Sequence, residues 1–147
     1  TNDAPSSITR LQNMGTPNYL ISAALSLIMA QRLARRNCSE CREKDENVTP
    51  KLLNSIGFLP EQSARAKIYK GKGCDQCSNT GYKGRMGVYE ILEIDKELKQ
   101  GILSDLSQAE LNGIAKKNGF RTMQEMGHDL LLSGDLSFSE FERVLQS

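Results

Sequence analysis

Tryptophan is absent from this chain of 147 residues, aromatic side chains make up only 5% of it, and histidine occurs once. So little aromatic surface argues against a platform for stacked bases. The lone histidine, His128, has no partner in a motif, so neither a Ser–His nor a Cys–His catalytic pair is supported, and no residue is assigned a catalytic role. It reads as an ordinary helix-surface residue, with Glu125 and Asp129 beside it as helix-face charges. Neither sign of charge is in excess. Nineteen Lys and Arg against eighteen Asp and Glu leave a net charge of +1, with no global pull towards nucleic acid or membrane. Long apolar runs are also missing: the richest stretch, residues 19–30, is broken by Ser22 and Ser26 and falls short of the ~18 apolar residues a membrane span needs. No secretory signal pattern opens the chain, which therefore reads as soluble and cytosolic in type. Finally, no Gly-x-x-x-x-Gly-Lys-Ser/Thr occurs, so the chain has no P-loop with which to hold a nucleotide.

What is present is a set of four cysteines in two pairs, Cys38-Ser-Glu-Cys41 and Cys74-Asp-Gln-Cys77. A two-residue gap lets both sulfurs of a pair turn onto one ion, and two such pairs complete a tetrahedral tetrathiolate site for structural zinc. Gly81, just after the second pair, suits the left-handed turn that a zinc knuckle needs. Disulfides are the alternative, disfavoured where thiols stay reduced. Redox catalysis fits less well, since neither pair sits in a strand-to-helix context. Lys67, Lys70, Lys72, Lys83 and Arg85 surround the second pair, as a nucleic-acid-binding zinc ribbon would predict, but Glu43, Asp45 and Asp75 dilute that field.

The opening Thr1-Asn2-Asp3-Ala4-Pro5 has no initiator methionine and begins on a helix cap (Asn2 or Asp3), as expected of a piece of a longer protein. Residues 3–14 read as a short helix stopped by Gly15. A longer helix is expected over residues 16–36, with Leu20, Ala24, Leu27, Ile28 and Leu33 on its apolar face and Arg32, Arg35 and Arg36 complementing the negative end of its dipole. Between the cysteine pairs, the 32 residues 42–73 read as an excursion closed at its base by metal. They carry a short helix signal from Thr49-Pro50 to Ile56 and few large apolar side chains, so metal binding is expected to supply much of their folding energy. Residues 67–70 and 84–92 are candidate strands, expected to pair as a hairpin with the second knuckle at its tip. Four helices follow, over residues 95–103, 107–117, 122–132 and 137–145, as a compact bundle. Ser107-Gln-Ala-Glu110 and Ser137-Phe-Ser-Glu140 fit the capping-box pattern. The fold class expected is α+β, mainly helical.

The second pair alone resembles one unit of the zinc repeats of heat-shock co-chaperones, with Asn79 where those carry glycine. A longer likeness covers nearly the whole chain. The segment from Thr1 to Leu11, the run Ala30-Gln-Arg-Leu-Ala-Arg35, the stretch from Gly73 through Cys74, Cys77, Gly84-Arg-Met-Gly and Val88-Tyr-Glu90, and Gly119-Phe-Arg-Thr-Met-Gln-Glu125 together resemble the C-terminal part of the secretion and pilus assembly ATPases. The likeness is weakest over residues 42–66.

That resemblance implies a hexameric RecA-like motor that uses ATP and Mg, lies on the cytoplasmic face of the bacterial inner membrane, and acts on a membrane platform and adaptor proteins, with no role for nucleic acid. It implies that the P-loop and the acidic and histidine boxes lie upstream, so that these residues alone form an inactive, monomeric fragment. Residues 1–37 would end the motor domain, 38–77 form a tetracysteine zinc subdomain, 78–94 return a strand to the motor core and 95–147 form a C-terminal helical domain. Cys38, Cys41, Cys74 and Cys77 would bind zinc. Gln31, Arg32 and Arg85 would approach nucleotide in the full ring, and Arg10 would lie near a subunit interface. Helix-end packing for Gln31 and Arg32, and a turn anchor for Arg85, are the alternatives.

Overall fold

In the computed structural model, which describes residues 3–146, the chain is an α+β protein with eight α-helices and two small two-stranded sheets among the described residues. It divides into two compact units. The first holds the residues up to Gln31 together with Tyr89–Met123; the second holds Arg32–Val88 and the residues from Gln124 onward.

In the first unit, α1 (Ser6–Asn13) starts where the Asp3 carboxylate accepts the Ser6 amide at 2.8 Å. Asn2, the other candidate cap, lies outside the described residues. α2 (Asn18–Ala24) follows Pro17 at its N-cap. The next element departs from the sequence-based expectation: the helix expected over residues 16–36 ends at Ala24, and residues Leu27–Asn37 form an extended strand, β1. Its partner is β4 (Tyr82–Glu93). Amide bonds at both ends, from Ile94 to the Ser26 carbonyl and from Cys38 to the Gly81 carbonyl, make the pair antiparallel. The expected hairpin of residues 67–70 with residues 84–92 is therefore not formed. β3 (Tyr69–Gly71) pairs instead with β2 (Arg42–Lys44), antiparallel, with Arg42 opposite Gly71 and Lys44 opposite Tyr69.

α5 (Lys96–Leu103) and α6 (Gln108–Lys117) complete the first unit. The Asp95 carboxylate caps α5 at the Leu98 amide, and Ser107 and Glu110 exchange both bonds of a capping box on α6. Ile8, Ile21, Leu92, Leu98, Ile102 and Leu111 form its core. Glu90 is buried within it, its two carboxylate oxygens accepting the amides of Ala4 at 2.6 Å and Met123 at 2.8 Å. Such a carboxylate needs no cation, because two backbone donors replace the water it lost.

The second unit contains α3 (Pro50–Ser55), capped by Thr49 as expected, and α4 (Pro60–Arg65), which the sequence reading left out. α7 (Met123–Ser133) runs into this unit, and α8 (Phe138–Leu145) lies in it. The four C-terminal helices, read from the sequence as one bundle, thus divide between the units. The excursion between the cysteine pairs is also better packed than its composition suggests. Leu53, Ile56, Phe58 and Ile68 are buried, and Phe58 lies 4.5 Å centroid to centroid from the His128 ring, whose other neighbour is Phe141 at 5.6 Å. His128 is half-buried and its Nε2 lies 2.8 Å from the Ile56 carbonyl, so it is a packing residue and not a plain surface one.

The arginines expected to cap a helix dipole sit instead on β1, where Arg35 meets Glu140 of α8. The Glu140 side chain is fully buried and accepts the Arg35 amide at 2.7 Å, the Arg35 guanidinium at 2.8 Å and the Arg143 guanidinium at 2.6 Å. Its capping box is therefore half-made: Ser137 accepts the Glu140 amide, while the carboxylate serves the two arginines. Burial pushes the Glu140 carboxyl up, but the Arg143 and Arg35 bonds outweigh it and hold it at about 2, against an ordinary 4.5. A lowered carboxyl contributes stability that is present in full above pH 4.5 and is lost as pH falls towards 2. Glu140→Gln should cost about 2 kcal/mol at neutral pH, the scale of hydrogen bonds to a charged group, because the arginines it leaves behind are half-exposed to water. It should also flatten the acid limb between pH 4.5 and 2, which urea titrations at several pH values would show. A variant as acid-sensitive as the parent would assign that limb to other carboxylates.

Candidate metal centre

The two knuckles meet because the segments that carry them are tied backbone to backbone. β1 delivers Cys38 with its amide on the Gly81 carbonyl at 2.9 Å, and the Lys72 amide reaches the Cys41 carbonyl at 3.1 Å. β2 leaves directly after Cys41, and a single turn of 3-10 helix (Asp75–Cys77) carries the second pair. Ser78 and Asn79 adopt left-handed conformations, and Gly81 has φ of +80°, the turn expected of it. Gly71 and Gly81 pass so close that a methyl group on either would strike the other's backbone.

All four sulfurs lie within 4.8 Å of one another. Cys38–Cys74, Cys41–Cys77 and Cys74–Cys77 are each 3.8 Å apart, as free thiols. A tetrahedral metal with metal–sulfur bonds of about 2.3 Å requires sulfur–sulfur edges of about 3.8 Å, whereas a disulfide requires about 2.05 Å. The arrangement therefore fits a tetrathiolate metal ion. Backbone amides point at the sulfurs: Gly73 donates to Cys41 at 3.3 Å, and Cys74 and Gly81 donate to Cys77 at 3.2 Å each. Burial acts against ionisation of Cys77, yet its two amides and neighbouring thiols hold it down at about 6. Cys41, with burial and three thiols outweighing a single amide, is pushed up to about 11. Without a cation, four thiolates cannot share so small a volume; a divalent ion removes that obstacle. Cys38 and Cys77 are buried while Cys41 and Cys74 are half-exposed, so the centre has one face towards solvent.

The other residues singled out by the sequence are not gathered at this centre. Gln31 is exposed on β1, with its amide 3.2 Å from the Tyr89 hydroxyl. Arg32 faces the other side of that strand and donates to the Val144 carbonyl. Arg85 is exposed on β4, and Arg10 is exposed on α1. The sequence reading missed Asn37 and Tyr82, which flank the cysteines and bind the segment between α7 and α8; their one signal was nearness to a knuckle.

The model of the type II/IV secretion system protein family matches residues 1–143. The chain belongs to that family. It is 39% identical over 140 residues to the type IV pilus assembly ATPase PilB of Thermus thermophilus, a match covering 95% of this chain and 16% of that protein. With PilB of Pseudomonas aeruginosa the identity is 38%, covering 98% of this chain and 25% of the relative. With type II secretion system protein E of Aeromonas hydrophila it is 31%, covering 98% and 28%. This family member thus spans only 16% to 28% of the length of those relatives. Among its described residues no helix is long and apolar enough to cross a membrane.

Proposed function

We propose that these residues form the zinc-binding C-terminal part of a hexameric ATPase that powers type II protein secretion or type IV pilus assembly from the cytoplasmic face of the inner membrane. The observation that carries the reading is the coincidence of a family match over residues 1–143 with four sulfurs spaced for one tetrahedral ion. Four thiolates in a tetrahedral set are the donor type that structural zinc takes, and no open position is left for chemistry. The centre is structural. Hydrolysis of ATP with Mg belongs to residues outside this chain, which lacks a P-loop.

The pair β1 and β4 supports an incomplete motor domain. Leu27, Met29, Tyr89 and Ile91 are between 41% and 57% exposed along it, and an isolated two-stranded sheet with an open apolar face is marginal in water. In the longer polypeptide, upstream elements would cover that face, and a neighbouring subunit, the platform protein and the adaptor would engage the assembled ring. Exposed Gln31 and Arg85 remain candidates to approach nucleotide there. Arg32 has its guanidinium committed to Val144, and packing is the better account of it.

The test is a matched pair of preparations, these 147 residues and the longer polypeptide that contains them. Elemental analysis should find one zinc per chain in both, and ATP turnover in the longer one only. Arg85→Ala in the longer protein should lower turnover if the residue senses phosphate. Turnover by the short chain, or none by either, would reject the motor reading, and a zinc-free pair would reject the metal assignment.

A further inference from the structure

All four backbone segments that enter or leave the cysteine cluster also hold the turn between α7 and α8. Asn37, one residue before Cys38, donates its side-chain amide to the Gly134 carbonyl at 2.9 Å and the Tyr69 carbonyl at 3.1 Å, and its own amide to the Asp135 carbonyl at 2.8 Å. Arg42, one residue after Cys41, lies 3.7 Å from the Asp135 carboxylate and 5.5 Å from the centre of the Tyr69 ring. Tyr69, on the strand leading to the second pair, packs against Gly134. Tyr82, on the strand leaving it, places its hydroxyl 3.1 Å from Ser137 and 3.2 Å from Ser139, with the Arg35 guanidinium 4.1 Å from the centre of its ring.

These contacts come from residues far apart in sequence: sheet pairing joins their four segments two by two, β1 with β4 and β2 with β3, and the cysteine cluster, with the bond from Asn37 to the Tyr69 carbonyl, joins one pair to the other. The turn itself offers mostly backbone carbonyls and small hydroxyls, groups that bind well only to donors already in position. Asn37 is 2% exposed and directs both amide hydrogens at carbonyls, which fixes its orientation.

We infer that the metal centre is a clamp on the C-terminal helix: metal occupancy sets the docking of α8, and Asn37 and Tyr82 are the positioning residues that carry the coupling. This rests on the metal assignment proposed above. By linkage, whatever pulls on α8 must weaken the hold on metal by the same factor that metal strengthens the docking. A force or partner acting on the C-terminal helix would thus be felt at the cysteines.

The experiment is hydrogen–deuterium exchange by mass spectrometry on the full chain, zinc-loaded and after chelation, with zinc content measured in each sample. Removal of zinc should speed exchange of peptides covering residues 133–145 by about tenfold or more, and leave those covering 96–117 unchanged. Asn37→Leu, similar in size but without donors, and Tyr82→Phe, which loses only the hydroxyl, should each retain one zinc per chain while exchanging faster over 133–145. The clamp is overturned if loaded and stripped chains protect that segment equally, or if both variants protect it as the parent does. A chain that takes up no zinc at all would sink the metal assignment and the clamp together, whereas a loaded chain indifferent to its zinc sinks only the clamp.

Discussion

Removing the metal, or replacing Cys74 by serine, is expected to unfold the segment between the cysteine pairs and leave α1, α2, α5 and α6 folded. The magnitude decides this. Structural zinc contributes an apparent ~10–16 kcal/mol in zinc-finger peptides at neutral pH. A whole domain is stable by only ~5–15 kcal/mol, so the second unit has no reserve to cover the loss. The first unit contains no cysteine and keeps its own core of Ile8, Ile21, Leu98 and Ile102. Serine at position 74 replaces a thiolate by a hydroxyl that remains protonated at neutral pH, leaving three ligands for an ion that takes four. Amide dispersion by NMR, followed during chelation, separates the outcomes: resonances from residues 38–77 should collapse first, while those from 96–117 persist. Full retention of dispersion with zinc removed would show that β2, β3 and the Phe58–His128 contact suffice to hold the excursion.

One compact bundle of four tail helices, as read from the sequence, would stand apart from the cysteines; the structure instead ties α8 to the segments that carry them. The cap signals placed α5, α6 and α8 correctly, because Asp95, Ser107 and Ser137 each accept an amide three residues on. Such local bonds are written in local sequence. What a cap cannot say is which neighbour a helix chooses. α8 keeps company with the metal centre through Arg35, Asn37 and Tyr82, residues 55 to 105 positions away from their partners.

β1 was hidden for a related reason. Residues 28–34 are Ile, Met, Ala, Gln, Arg, Leu and Ala, most of them good helix formers, so propensity and a loose 3.6 period both suggest helix. Alternation is present, but the inward side carries small Ala30 and Ala34 and the cation Arg32, while Met29 and Leu33 point outward. An apolar outer face inverts the usual pattern of a half-buried strand, and only pairing with β4 makes that choice stable. The tetracysteine centre was the most legible feature because two Cys-x-x-Cys pairs carry their ligand geometry in their spacing. The amides that support the sulfurs were not legible, since Gly73 and Gly81 act through backbone groups that every residue possesses.

Those backbone groups give the second large expectation. Gly71→Ala should abolish stoichiometric metal binding and cost on the order of 4 kcal/mol or more, the range reserved for a named structural defect. A methyl group at Gly71 would lie 1.9 Å from the Gly81 carbonyl oxygen, and both atoms belong to main chain that cannot rotate aside. Relief requires β3 and the second knuckle to separate, and that motion breaks the bond from the Cys38 amide to the same Gly81 carbonyl. It also draws the Gly81 amide away from Cys77. The defect therefore reaches two ligands at once. Gly84→Ala is the matched control. Gly84 has φ of +80° but open space around it, so the change costs only the ~1–2 kcal/mol of a left-handed alanine and should leave the metal in place. Competition with a zinc-binding dye, read beside thermal denaturation, distinguishes the two variants. Equal zinc affinity in Gly71→Ala and Gly84→Ala would mean that the two backbones do not need to touch for the centre to form.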